Sequence, residues 1–308
     1  MLEIRDDRQL RSITGISEKV LEIIEPVFTK VYKEMKEAEY EKQKSLGLRK
    51  RKRGGGRKSK LETMLSKIHY ILYYLKNYPS IDTLGEKFKL SRSNAHANVQ
   101  KLLPVMTETL KELGHLPARS YEDPKALKQS LEDIDSLLID ATEREYFRPT
   151  DKALQKEHYS GKQRYHTVKN TVISTARKRV IYLGKTFGGR NHDYAMFKEE
   201  FPPEDAWFEG SKLYADSGYQ GMKTDYPKGD AELPFRKPRK SKNNPNPELS
   251  EEQKAHNKAV SQARIYVENA ICGIKRFSIL TNRFRNRIDG FVDDVIAVCA
   301  GLWNAMLA

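Results

Sequence analysis

Apolar residues recur at helical spacing through the first third of the chain and give way to strand-like runs beyond it. Within residues 16–44, Ile16, Val20, Ile23, Ile24 and Val27 share one face ahead of a charged continuation from Tyr32, which predicts a helical accessory or pairing element. Residues 61–103 predict three more helices, carried by Leu61, Leu65, Ile68, Leu72 and Leu75, then Ile81, Leu84 and Phe88, then Ala95, Val99, Leu102 and Leu103. Pro79 and Ser80 punctuate the first two, and Ser91 is placed to cap the third. This is helix-turn-helix grammar, although an ordinary three-helix bundle shares it. With Ala95, Val99 and Leu102 turned inward, Arg92, Ser93, His96 and Gln100 project from the other side, where a recognition helix meets base edges and phosphates.

After Pro104 a helical connector is expected to end near residues 117–124, and the pattern then changes. Residues 136–141, 164–174 and 179–187 are β-branched and aromatic runs, and short strands are expected near 213–216 and 232–235. Helices are expected from about His192, across 251–277 and across 291–307. That order predicts an α/β, RNase H-like domain, a mixed sheet flanked by helices, preceded by an all-α helix-turn-helix domain. The boundaries read as a helical region at 1–48, a basic glycine-rich linker at 49–60, the helix-turn-helix domain at 61–116 and the catalytic domain at 130–308.

Charge sharpens this picture. The 308 residues carry 56 Lys and Arg against 42 Asp and Glu, a net charge of +14, which points to a polyanionic partner. Eight of the twelve linker residues are basic around Gly54, Gly55 and Gly56, so Arg51, Lys52, Arg53, Arg57 and Lys58 are expected to lie along phosphates without reading sequence, or else to form a solvated hinge. Double-stranded DNA is the expected partner, and a membrane is not, because there is no basic amphipathic anchor, lipidation motif or apolar run of bilayer length. Cys272 and Cys299 belong to no metal-binding motif and are expected to be small buried hydrophobes in a reducing, cytoplasmic setting.

Candidate chemistry lies in three carboxylates. Asp140 and Asp216 each end an apolar strand, where a carboxylate is costly unless paired or metal-bound. Hard oxygen ligands of this kind suit two divalent cations that activate an attacking oxygen and stabilise a leaving one. Glu268 shares a helical face with Arg264, Ile271, Cys272 and Lys275 in ARIYVENAICGIKRF, and read alone it is half of a surface i, i+4 pair with Arg264.

Taken together, GGGRKSKL, YILYYLKNYPSIDTLGEKFKLS, IDATE, YSGKQRYHTVKNTVI, GGRNHD, YADSGYQG and RIYVENAICGIKRF resemble the insertion-sequence DDE transposases of the branch related to the Harbinger elements. The resemblance implies that Asp140, Asp216 and Glu268 are the catalytic, metal-binding triad, holding two Mg2+ or Mn2+ ions. It implies hydrolytic nicking of element ends and direct attack of the freed 3′-hydroxyl on target DNA, carried out by a dimer or larger assembly at the nucleoid. Arg264 and Lys275 match the Arg and Lys of the family's Y-R-E-K box, whereas Ser261 stands where its Tyr belongs and Tyr266 does not replace it by position. His192 and Asp193 resemble the family's HD pair, though a helix cap built on Asn191 or Asp193 gives the same letters. Lys162, His166 and Lys169 are candidates for gripping DNA, or form an exposed polar strand face.

Overall fold

The computed structural model describes residues 3–49, 59–132, 134–240 and 245–308. In chain order its elements are α1 (Asp7–Thr14), α2 (Glu18–Ser45), α3 (Met64–Asn77), α4 (Ile81–Lys87), α5 (Arg92–Glu112), α6 (Pro124–Ser130), β1 (Ser136–Glu145), α7 (Lys152–His158) and β2 (Tyr159–Ser160). There follow β3 (Tyr165–Ser174), β4 (Val180–Leu183), β5 (Phe187–Gly188), α8 (Asp193–Glu200), β6 (Lys212–Tyr214), α9 (Met222–Asp225), β7 (Asp230–Glu232), α10 (Glu251–Ile274) and α11 (Phe291–Leu307). The chain divides into two compact units, residues 1–116 with 274–308, and residues 117–273. The second boundary therefore falls at Pro117, and the last 35 residues, which the sequence pattern assigns to the sheet domain, pack with the helices.

Local polar chemistry starts most helices of the first unit. Ser17, Thr63, Ser80 and Ser91 each turn a hydroxyl onto a backbone N–H of the opening turn of α2, α3, α4 and α5. Helix α5 does not stop at Pro104 as the sequence suggests. It runs on to Glu112, and α2 likewise passes through Pro26, because both prolines lie on exposed faces where the carbonyls left without a donor remain open to water. The buried Tyr70 hydroxyl on α3 donates to the Ala95 carbonyl at 2.6 Å and pins the start of α5. Between α4 and α5 the chain reverses through Lys89, at φ +55°, and the Leu90 N–H returns to the Gly85 carbonyl at 2.7 Å. Gly85 has to be glycine, since a Cβ there would meet the Leu90 carbonyl oxygen at 2.8 Å. Helix α11 packs against α5, with the Asn304 amide donating to the His115 carbonyl at 2.8 Å.

The second unit is a mixed α/β fold whose strands run in the order β2-β3-β1-β6-β7, with β4 and β5 also on β3. β3 lies antiparallel to β1, whereas β6 lies parallel to it and β7 parallel to β6. A mixed sheet flanked by helices is compatible with the RNase H-like expectation. Strand alternation sends Leu137, Ile139, Ile173, Leu213 and Ala215 to one face, where Phe197, Phe201, Phe208, Tyr219 and Tyr226 complete an aromatic core. Helix α7 was invisible to hydrophobic patterning because none of its residues is buried. No helix of the described residues is long and apolar enough to cross a membrane.

Candidate active site

Asp140 and Asp216 are brought together by the parallel pairing of β1 and β6. The last registered pair is Leu138 with Tyr214, and each aspartate stands two residues further along its own chain. Adjacent strands lie about 4.8 Å apart, so the two carboxylates flank each other on the face turned away from the aromatic core. β1 does not end at Asp140, as its sequence suggests, but continues to Glu145 because Thr142 and Arg144 stay buried against β3, with Arg144 held by Asn170. Burial is the largest influence on the Asp140 carboxyl and raises its pKa. The Arg264 guanidinium and the Ala141 N–H, which donates to it at 2.8 Å, pull back, while Asp216 and Asp193 push it further up. Asp216 caps a short turn, accepting from the Gly218 N–H at 2.7 Å.

Helix α10 presents Arg264 to this face. Its Nη2 lies 3.2 Å from Asp140 Oδ2 and 3.8 Å from Glu268 Oε1, so the guanidinium links a strand carboxylate to a helix carboxylate. Arg264 is therefore more than half of a surface pair. Its Nε–H is buried and has no hydrogen-bond partner. Val267 and Ala270 anchor the helix, whereas Glu268 keeps 55% of its side chain exposed. Among the described residues no three His, Cys, Asp or Glu side chains gather closely enough to hold a metal ion. The donor chemistry nevertheless suits a hard divalent cation, because the three groups offer only carboxylate oxygens and a guanidinium already supplies positive charge between two of them.

The other candidates are distributed. Lys169 is largely buried, and its ammonium donates to Asp193 Oδ1 and to the Asn191 carbonyl, both at 3.0 Å, which ties β3 to the start of α8. His192 is the N-cap of α8 but makes no side-chain capping bond, and Asp193 faces Lys169 instead. Lys162 is exposed, as is Ser261, and Lys275 follows the last residue of α10. Cys299 is buried as expected, but Cys272 is exposed because its position on α10 turns away from Val267 and Ala270. In the helical unit Arg92 reaches Asp82 at 3.1 Å, Ser93 and His96 are exposed, and Gln100 is half-buried. Arg51, Lys52, Arg53, Arg57 and Lys58 lie outside the described residues.

Two groups escaped the sequence reading. Tyr219 is fully buried with an unpartnered hydroxyl, and its pKa is driven up first by burial and then by Asp193, Asp140, Asp216 and Glu200. Its only sequence signal was its place in YADSGYQG. Glu200, the last residue of α8, gave none, since it reads as one of several surface acids.

A mixed sheet that sets two carboxylates side by side, with an arginine from a late helix on one of them, suits a class of phosphoryl-transfer proteins, and comparison with known proteins names it. The family model for the DDE superfamily endonucleases matches residues 139–304, more than half of the chain, and the protein belongs to that family. More particularly, the chain is 31% identical over 262 residues to the probable transposase for insertion sequence element IS702 of Microchaete diplosiphon, an alignment covering 84% of this chain and 86% of that one. It is an insertion-sequence DDE transposase by family. No solved structure matches it.

Proposed function

We propose that the chain binds the ends of a mobile element, cuts them, and joins the 3′-hydroxyl to target DNA by direct transesterification. The adjacency of Asp140 and Asp216 on parallel strands, with Arg264 reaching Asp140 from α10 and Glu268 one turn along that helix, is the observation that carries this reading. Asp140, Asp216 and Glu268 would hold two Mg2+ or Mn2+ ions, which when bound supply polarisation of the attacking and leaving oxygens. Arg264 restrains Asp140 and Glu268 and is positioned to hand its charge to a scissile phosphate once it lets go of them. Asp193 is near enough to raise the Asp140 carboxyl further, and Asp140 and Asp216 in turn raise the buried Tyr219 hydroxyl.

DNA binding is assigned to two segments. α4, the tight reversal at Lys89 and α5 form the proposed helix-turn-helix, with Arg92, Ser93, His96 and Gln100 toward the DNA, and the basic linker adds affinity without choice of sequence. Lys162, Arg264 and Lys275 are proposed contacts near the cut, whereas Lys169 acts through Asp193. Synapsis of two ends requires at least a dimer, and the proposed setting is a prokaryotic nucleoid. Asp140→Asn, Asp216→Asn and Glu268→Gln should each abolish cleavage of labelled element ends in Mg2+ while leaving gel-shift affinity intact. Full cutting by any one variant removes that residue from the triad, and cutting without joining by the wild type reduces the protein to a nuclease. Binding without either reaction would make it a silent descendant.

A further inference from the structure

Resting on the DNA reading above, we infer that the sheet unit carries its own DNA-backbone groove, separate from the acid cluster and from α5, which grips duplex flanking the cut. The groove has a volume of about 750 Å³ and is lined by Arg148, Lys152, Lys156, Arg190, His166 and Tyr159, with no carboxylate among its walls. Lys152, Lys156 and Tyr159 recur at helical spacing across α7 and its junction with β2, so two ammonium groups and a half-exposed ring share one face. Like charges one turn apart oppose helix formation, and α7 buries no side chain that would compensate. Among the described residues neither lysine nor Arg190 has an ion-pair partner. Arg148 donates from Nε and Nη2 to the neutral Gln155 side chain at 3.2 and 3.0 Å, which orients the guanidinium and leaves its charge uncompensated. Four formal charges held in an open groove, with an aromatic ring to lie against a sugar, match a sugar–phosphate backbone.

The sheet sets the distance. The His166 carbonyl accepts from the Tyr146 N–H, and Tyr146, which directly follows β1, is six residues beyond Asp140. At about 3.4 Å per residue the groove lies roughly 20 Å from Asp140, the length of about six base pairs. Phosphate-ethylation interference on an element-end duplex should therefore show a cluster about six base pairs from the cut. In the Lys152→Gln, Lys156→Gln, Arg190→Gln triple variant that cluster should vanish. The slope of log affinity against log salt should flatten by about 2.7, at roughly 0.9 per phosphate released. Thermal melting should not fall, since none of the three side chains is buried and the variant removes the repulsion between Lys152 and Lys156. A wild type that cuts its ends beside a variant with unchanged slope and footprint overturns the groove alone. A loss confined to single-stranded DNA overturns the duplex assignment, and a wild type that binds no DNA overturns the functional reading and the groove with it.

Discussion

Glu200 offers a test in which the magnitude comes straight from the structure. It closes α8 beneath the sheet, where both carboxylate oxygens are buried, and that burial pushes its pKa up to about 7. The Thr171 hydroxyl, the Lys185 N–H and the Arg119 and Lys185 charges recover only part of that cost. A carboxyl whose folded pKa exceeds its unfolded value of 4.5 binds a proton more tightly in the folded chain. Its stabilisation is complete below about pH 4.5 and is lost as the pH rises through about 7. Roughly 2.5 pH units at 1.36 kcal/mol each give about 3 kcal/mol, which for a unit of this size corresponds to roughly 6 to 12 °C in melting temperature. Glu200→Gln removes the ionisation while keeping the shape. The variant should match the wild type near pH 4.5 and gain on it by about 3 kcal/mol at pH 8. Thermal melts followed by circular dichroism across that range would measure the difference, and parallel curves at every pH would refute the account of Glu200 as a buried acid kept neutral.

The DNA-binding segments give two further expectations. Replacing Arg92 by Ala should cost roughly 1 to 3 kcal/mol on cognate ends and relax sequence preference in a competition binding assay, because bidentate base contacts carry that much discrimination. An unchanged preference returns α3, α4 and α5 to the status of a plain bundle. Changing Arg49, Lys50, Arg51, Lys52 and Arg53 to Gln should flatten the salt slope by roughly 4.5 units if all five engage, with cognate and random DNA losing equally. A loss limited to cognate DNA would mean that the linker reads sequence.

The sequence alone settled those features governed by near neighbours in the chain. Helical spacing located α2, α3, α4 and α5, Ser80 and the capping Ser91 marked the starts of α4 and α5, and β-branched runs marked β1, β3 and β4, since these depend on side-chain periodicity and a few local hydrogen bonds. Asp140 and Asp216 stood out because a carboxylate in an apolar run needs a reason, whereas Glu268 joined them through motif likeness alone. What sequence could not supply was anything that depends on which segments meet. α7 has no buried side chain and so left no pattern. Pro104 reads as a stop, yet packing of the rest of α5 carries the helix through it. Only the register of β1 against β6 sets Asp140 beside Asp216 across 75 intervening residues, and only the approach of α10 turns Arg264, already the i, i+4 neighbour of Glu268, onto Asp140. Tyr219 and Glu200 acquire their importance from burial, a property of the assembled core and of no stretch of chain within it.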